Sequence, residues 1–116
     1  MMEINLSITN ILILDINQQR LQLGKSIGAD ETILIKKDMD SDTLLNEIKK
    51  HFDNDGADIT YECTGVESST KLAIYGTTNG GKVALVGLGP LEIRAPLVNA
   101  SLREVDIIGV CRFRNW

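Results

Sequence analysis

The sequence predicts an α/β fold built on a parallel sheet, and three observations predict it. Short apolar runs alternate with helical stretches along the chain, the pattern of strands joined by crossover helices. The first run, Ile11-Leu-Ile-Leu-Asp15, stops on an acidic residue and leads into a helix, as the second strand of a dinucleotide-binding sheet does. That acidic residue ordinarily follows a glycine-rich turn by about 20 residues, yet residues 1–14 contain no glycine. The expectation is a partial Rossmann-like parallel sheet with flanking helices, its first strand and glycine-rich turn missing. Residues 1–9 are unassigned, and 10–116 form the partial nucleotide-binding domain.

The elements follow in order. Ile11 to Asp15 is the first strand, and residues from about Asn17 to Ile27 are a helix. Leu21, Gly24 and Gly28 share one side of it, where small residues let a helix sit close to a sheet, and Gly28 suits the helix end. Thr32 to Ile35 is the next strand. Asp40 or Ser41 caps a helix running to about Phe52, with Leu44, Leu45, Ile48 and Phe52 on its apolar face and His51 at the surface. Asp53-Asn-Asp-Gly56 is a turn, Ala57 to Glu62 a strand, and about Glu67 to Tyr75 a helix. Lys82 to Gly89 is a strand after the turn Asn79-Gly-Gly81. A short segment, Glu92 to Arg94, precedes Pro96, which opens a helix to about Arg103. Asp106 to Cys111 is the last strand.

Composition excludes several classes. With 116 residues the chain has one domain's worth of sequence, enough to bury roughly two-thirds of its unfolded surface. Hydrophobic residues at 43% and charged residues at 24% argue against disorder. A net charge of -4 argues against nucleic-acid partners. No apolar run approaches the ~20 residues that span a bilayer. The amino terminus has no basic lead or long apolar stretch, so no signal peptide or membrane association is expected and the location is expected to be cytoplasmic. Cys63 and Cys111 are too far apart in sequence to form a zinc-type pair and are expected to be buried thiols.

Three groups of residues carry chemistry. Asp15, at a strand's carboxyl end, can accept hydrogen bonds from both hydroxyls of a ribose and would repel a 2′-phosphate, so NAD is preferred to NADP. Arg20, about one helical turn on, can lie over the adenine or near the ribose. Taken alone, Asp15 is read as a helix cap and Arg20 as a solvated charge. Gly87 and Gly89 follow a buried strand, where glycine permits either close approach to a flat ligand or an ordinary tight turn. Arg112 follows an apolar strand, where a charge must reach solvent or a partner.

Together these features resemble the coenzyme-binding part of the sorbitol (polyol) dehydrogenase group within the zinc-dependent medium-chain alcohol dehydrogenase family. Glu62-Cys-Thr-Gly65, Val86-Gly-Leu-Gly89, Leu102-Arg-Glu-Val-Asp-Ile107 and Gly109-Val110 with Arg112 carry the resemblance. Asp15, Arg20-Leu21 and Ile27-Gly-Ala-Asp30 match upstream, so it covers about residues 10–116. The resemblance implies that Asp15 and Arg20 grip the adenosine end of NAD, and that Val86, Gly87 and Leu88 line the nicotinamide side. It implies a second nicotinamide-side segment in Val110, Cys111 and Arg112, with Arg112 also reaching a polyol. Phe113 stands where family members carry a tyrosine, so a polar substrate contact there loses its hydroxyl. The family's zinc ligands have no counterpart in this sequence, so the chain by itself is expected to be inactive.

Two other readings stay open. The family pairs subunits through the strand resembling Asp106 to Cys111, which implies a homo-oligomer or a non-catalytic module pairing with a longer relative. Methyltransferase sheets also hold a ribose with an acidic residue at the second strand; the distant Val-Gly-Leu-Gly and Arg112 favour the dehydrogenase.

Overall fold

The computed structural model of the chain describes residues 8–112, so Phe113 lies outside the described residues. The described residues form two compact units, one ending at Met39 and one beginning at Asp40.

The first unit is a β-α-β crossover: β1 (Leu12–Asp15), α1 (Gln18–Ser26) and β2 (Glu31–Leu34). β1 and β2 pair in parallel, Leu12 opposite Glu31 and Asp15 opposite Leu34. The ladder is extended at both ends, by Asp30 and Glu31 N–H groups donating to the Ile11 carbonyl and by Ile35 N–H donating to that of Asp15. Asn17 caps α1, its side chain accepting from the Gln19 and Arg20 amides. Leu21 and Gly24 are the buried residues of the helix. A Cβ at Gly24 would lie 2.6 Å from Ile13 Cδ1, so the expected close helix–sheet approach is real. Gly28 lies past the helix with φ 131°, which a side chain would disfavour.

The second unit holds α2 (Ser41–His51), β3 (Ala57–Glu62), α3 (Glu67–Gly76), β4 (Thr77–Leu85), α4 (Leu97–Leu102) and β5 (Asp106–Gly109). Its strands form a separate parallel sheet in the order β3-β4-β5. Asp40 caps α2, accepting from the Thr43 amide and hydroxyl. Asp53 and Asn54 take positive φ values in the predicted turn. The core is Ala73, Ile74, Val83, Ala100 and Val105, joining α3, α4 and β4. His51 sits edge-on to Phe52 with ring centroids 4.8 Å apart, so it is more packed than a surface reading implies.

β4 starts earlier and ends earlier than the sequence predicts. Thr77 pairs with Ala57 before an irregularity, and regular pairing resumes at Ile59 and Lys82. The ladder stops after Leu85 because Val86 and Gly87 N–H groups both donate to one acceptor, the Glu62 carbonyl. β5 ends at Gly109, although Val110 N–H still donates to the Leu85 carbonyl.

The two cysteines correct a prediction: both are exposed rather than buried. Each lies just beyond the carboxyl end of an outer strand of the β3-β4-β5 sheet. No helix among the described residues is long and apolar enough to cross a membrane.

Candidate functional site

In the first unit the carboxyl end of β1 presents Asp15. One oxygen, Oδ1, accepts from the Asn17 amide at 2.8 Å. The other, Oδ2, stands 3.6 Å from Arg20 Nη1, an ion pair without hydrogen-bond length. The Asp15 side chain is 24% exposed and that of Arg20 71%, so the arginine can swing away. Capping of α1 falls to Asn17, which leaves Oδ2 of Asp15 with lone pairs for an incoming hydroxyl.

In the second unit the ends of β3, β4 and β5 bring two predicted segments together. Val86 and Leu88 are exposed and Gly87 is half-buried at the end of β4. Val110, Cys111 and Arg112 are exposed at the end of β5, with Arg112 at φ 50°. The tight approach at Gly87 is made by the protein's own chain: a Cβ there would lie 2.6 Å from Thr64 N and C. Gly89 meets Gly65 in the same way. The two glycines are therefore required by loop-on-loop packing, whatever else binds nearby.

Glu62 ends β3 and opens the Glu-Cys-Thr-Gly motif, to which the sequence assigned no individual role. It is 4% exposed, and its carboxylate accepts from the Thr64 amide, the Thr64 hydroxyl and the Gly65 amide. The signal was present, an acidic residue followed closely by Thr-Gly, a pattern in which side chain and turn amides pair locally.

A second node holds the segment after β4. Glu67, at the start of α3, accepts from Lys71 Nζ at 2.7 Å and from the Arg94 amide at 3.1 Å. The Lys71 hydrogen bond, then that of Arg94, hold its carboxyl below the usual glutamate range. Because the folded value is depressed, the contribution to stability exists above the ordinary glutamate pKa and is lost as pH falls through the folded one. Amide exchange should therefore show Arg94 N–H losing protection on acidification below pH ~4. Glu67→Gln should remove that pH dependence.

A groove of about 510 Å³ lies between α3, the segment Leu91 to Ala95 and the sheet, lined by Ile74, Leu85, Ile93 and Ile107. None of the predicted site residues among those described lines it. Among the described residues no group of three or more His, Cys, Asp or Glu side chains could hold a metal ion. These residues therefore do not fit a zinc ion.

The family model "zinc-binding dehydrogenase" matches residues 6–116. The chain belongs to that family. Sorbitol dehydrogenase of Rattus norvegicus is 39% identical over 107 residues, covering 92% of this chain and 29% of the relative. That of Gallus gallus is 40% identical over 105 residues, covering 90% and 29%. A solved benzyl alcohol dehydrogenase from Acinetobacter calcoaceticus superposes with TM-score 0.77 at 29% identity, over 88% of this chain and 27% of that one. A Bacillus subtilis 2R,3R-butanediol dehydrogenase reaches TM-score 0.80 at 23% identity, over 92% and 29%, a likeness of fold alone. The chain thus spans under a third of the length of these relatives. Its parallel strands with flanking helices are the Rossmann-like architecture of those neighbours.

Proposed function

We propose that the chain is part of the coenzyme-binding region of an NAD-dependent polyol dehydrogenase. The observation that carries this is Asp15: a carboxylate at a strand's carboxyl end, one oxygen held by Asn17 and the other free of the capping role. The residue set suits a ribose diol, whose two hydroxyls donate to an acceptor-only group. A 2′-phosphate would meet like charge, which favours NAD over NADP. NAD, when bound, supplies the hydride acceptor for oxidation of a secondary alcohol. Asp15 and Arg20 would bind the adenosine end; Val86, Gly87 and Leu88, with Val110, Cys111 and Arg112, would orient the nicotinamide end. The polyol is the proposed substrate of the whole protein, with Arg112 reaching it. Absent a metal-binding cluster among the described residues, the chain by itself is proposed to be inactive.

Addition of NADH is expected to shift the amide signals of Asp15, Ile16 and Arg20, with NADPH shifting them less. Asp15→Ser should weaken NADH binding by about tenfold or more, the worth of a hydrogen bond to a charged group. Unmoved signals at Asp15 under saturating NADH would overturn the reading. Reduction of NAD by this chain with sorbitol and zinc would overturn the inactivity.

One observation favours a second reading, an interaction module. Among the described residues β5 pairs only with β4, and all four of its residues are exposed. Its other edge can add a strand from a second subunit. Sedimentation should show a concentration-dependent dimer that Ile107→Pro abolishes, since Val110 N–H faces β4 and strand alternation puts the Ile107 N–H on the open edge, where proline removes the donor; a monomer at every concentration rejects it.

A further inference from the structure

We propose that Glu62 is a positioning residue for the strand end Val86 to Gly89, an inference that rests on reading that strand end as the nicotinamide-side segment. A carboxylate at 4% exposure must be fully partnered, and this one is. Oε1 accepts from Thr64 N at 2.9 Å and Thr64 Oγ1 at 2.5 Å, and Oε2 accepts from Gly65 N at 2.9 Å. The same residue's carbonyl accepts from Val86 N and Gly87 N, each at 2.9 Å. Its side chain thus fixes the turn Cys63 to Gly65, and its main chain fixes the end of β4.

The two fixed segments touch backbone to backbone. A Cβ at Gly65 would lie 2.6 Å from Gly89 N, one at Gly87 2.6 Å from Thr64 N, and one at Gly89 2.7 Å from Gly65 C. No side chain lies between to absorb a displacement, so a shift of the turn moves Val86 to Gly89 with it. Gly65 sits at φ 73°, a conformation that the hydrogen bonds donated by the Thr64 and Gly65 amides to the carboxylate hold in place. A carboxylate only accepts, and all three partners are donors. An amide in its place sets one N–H group against another, which loosens the turn without changing its volume.

The test compares wild type with Glu62→Gln by amide exchange and by titration. Exchange at Thr64, Gly65, Val86 and Gly87 should rise about tenfold, the loss expected from one hydrogen bond to a charged group. Core amides such as Ile74 and Val83 should stay unchanged. Affinity for NADH should fall by a similar factor while affinity for AMP, which engages the Asp15 end alone, stays the same. Thr64→Val, which removes one of the three donors, should loosen the same four amides to a smaller degree, and it decides the matter if Glu62→Gln does not fold. Unchanged exchange at Val86 and Gly87, or an equal rise across the core, would overturn the proposal. A wild-type chain that ignores NADH at every residue removes the coenzyme reading, while the exchange data still decide whether Glu62 governs the strand end.

Discussion

Gly87→Ala is expected to destabilise the unit from Asp40 onward by about 3 kcal/mol, the upper range for overpacking a rigid site. Thermal melting should fall by roughly 10 °C or more for a unit of this size. The new methyl carbon would lie 2.6 Å from both Thr64 N and Thr64 C, and neither atom can rotate away. Relief requires moving the turn, which the Glu62 carboxylate holds, or the strand end, which the Glu62 carbonyl holds. Two control positions separate packing from backbone preference. Gly80 has φ 73° but open space where a Cβ would go, so Gly80→Ala should cost only about 1 kcal/mol. Gly109 has open space and no such φ, so alanine there should be close to neutral. A Gly87→Ala protein melting with the Gly109→Ala control would show that the two loops do not meet as described.

Arg103→Met should cost about 2 kcal/mol, the expense of leaving a buried acceptor unpaired. The guanidinium donates from Nη1 to the Thr77 carbonyl and from Nη2 to that of Ile74, both at 2.7 Å. Nε and Nη2 also reach Asn99 Oδ1, so one side chain ties the end of α4 to the end of α3 and the start of β4. The Ile74 carbonyl keeps a second donor, the Thr77 amide, whereas Thr77 is fully buried and its carbonyl loses a charged partner. Methionine retains much of the volume, which isolates the polar loss. Lysine should recover less than half of it, because a point charge cannot span the three acceptors of a planar fork. Lys82→Met, which breaks an exposed ion pair with Asp106, should change stability by less than ~1 kcal/mol. Equal melting of the Arg103→Met and Lys82→Met proteins would refute the clamp.

Residues with local causes were legible before any coordinates. Asp40 caps α2 because a short carboxylate before a helical run reaches a first-turn amide. The turn at Asp53 to Gly56 follows from residues that tolerate positive φ. Gly24 on the sheet side of α1 announced close packing, and Ile13 fills the space where its side chain would be. Asp15 was legible as a strand-end carboxylate, but the division of labour with Asn17 was not. Both residues are good caps, and only the path of the chain decides which one reaches the helix amides.

What failed to show in the sequence depended on distant partners. The expected burial of Cys63 and Cys111 came from residue type, whereas both fall past the carboxyl ends of outer strands and are exposed. Gly87 and Gly89 read equally well as a ligand approach or a tight turn, and the structure shows a third cause, the turn at Thr64 and Gly65.

By itself the sequence determined the order and kind of the elements, the caps, the turn and the resemblance to a dehydrogenase family, because periodicity, capping and φ preference act within a few residues of each other. Only the tertiary structure decided where β4 stops, why Gly87 must lack a side chain and why Glu62 is buried. Those outcomes depend on contacts such as Glu62 with Val86 and Gly87, and no local rule records which distant amide will arrive at a given carbonyl.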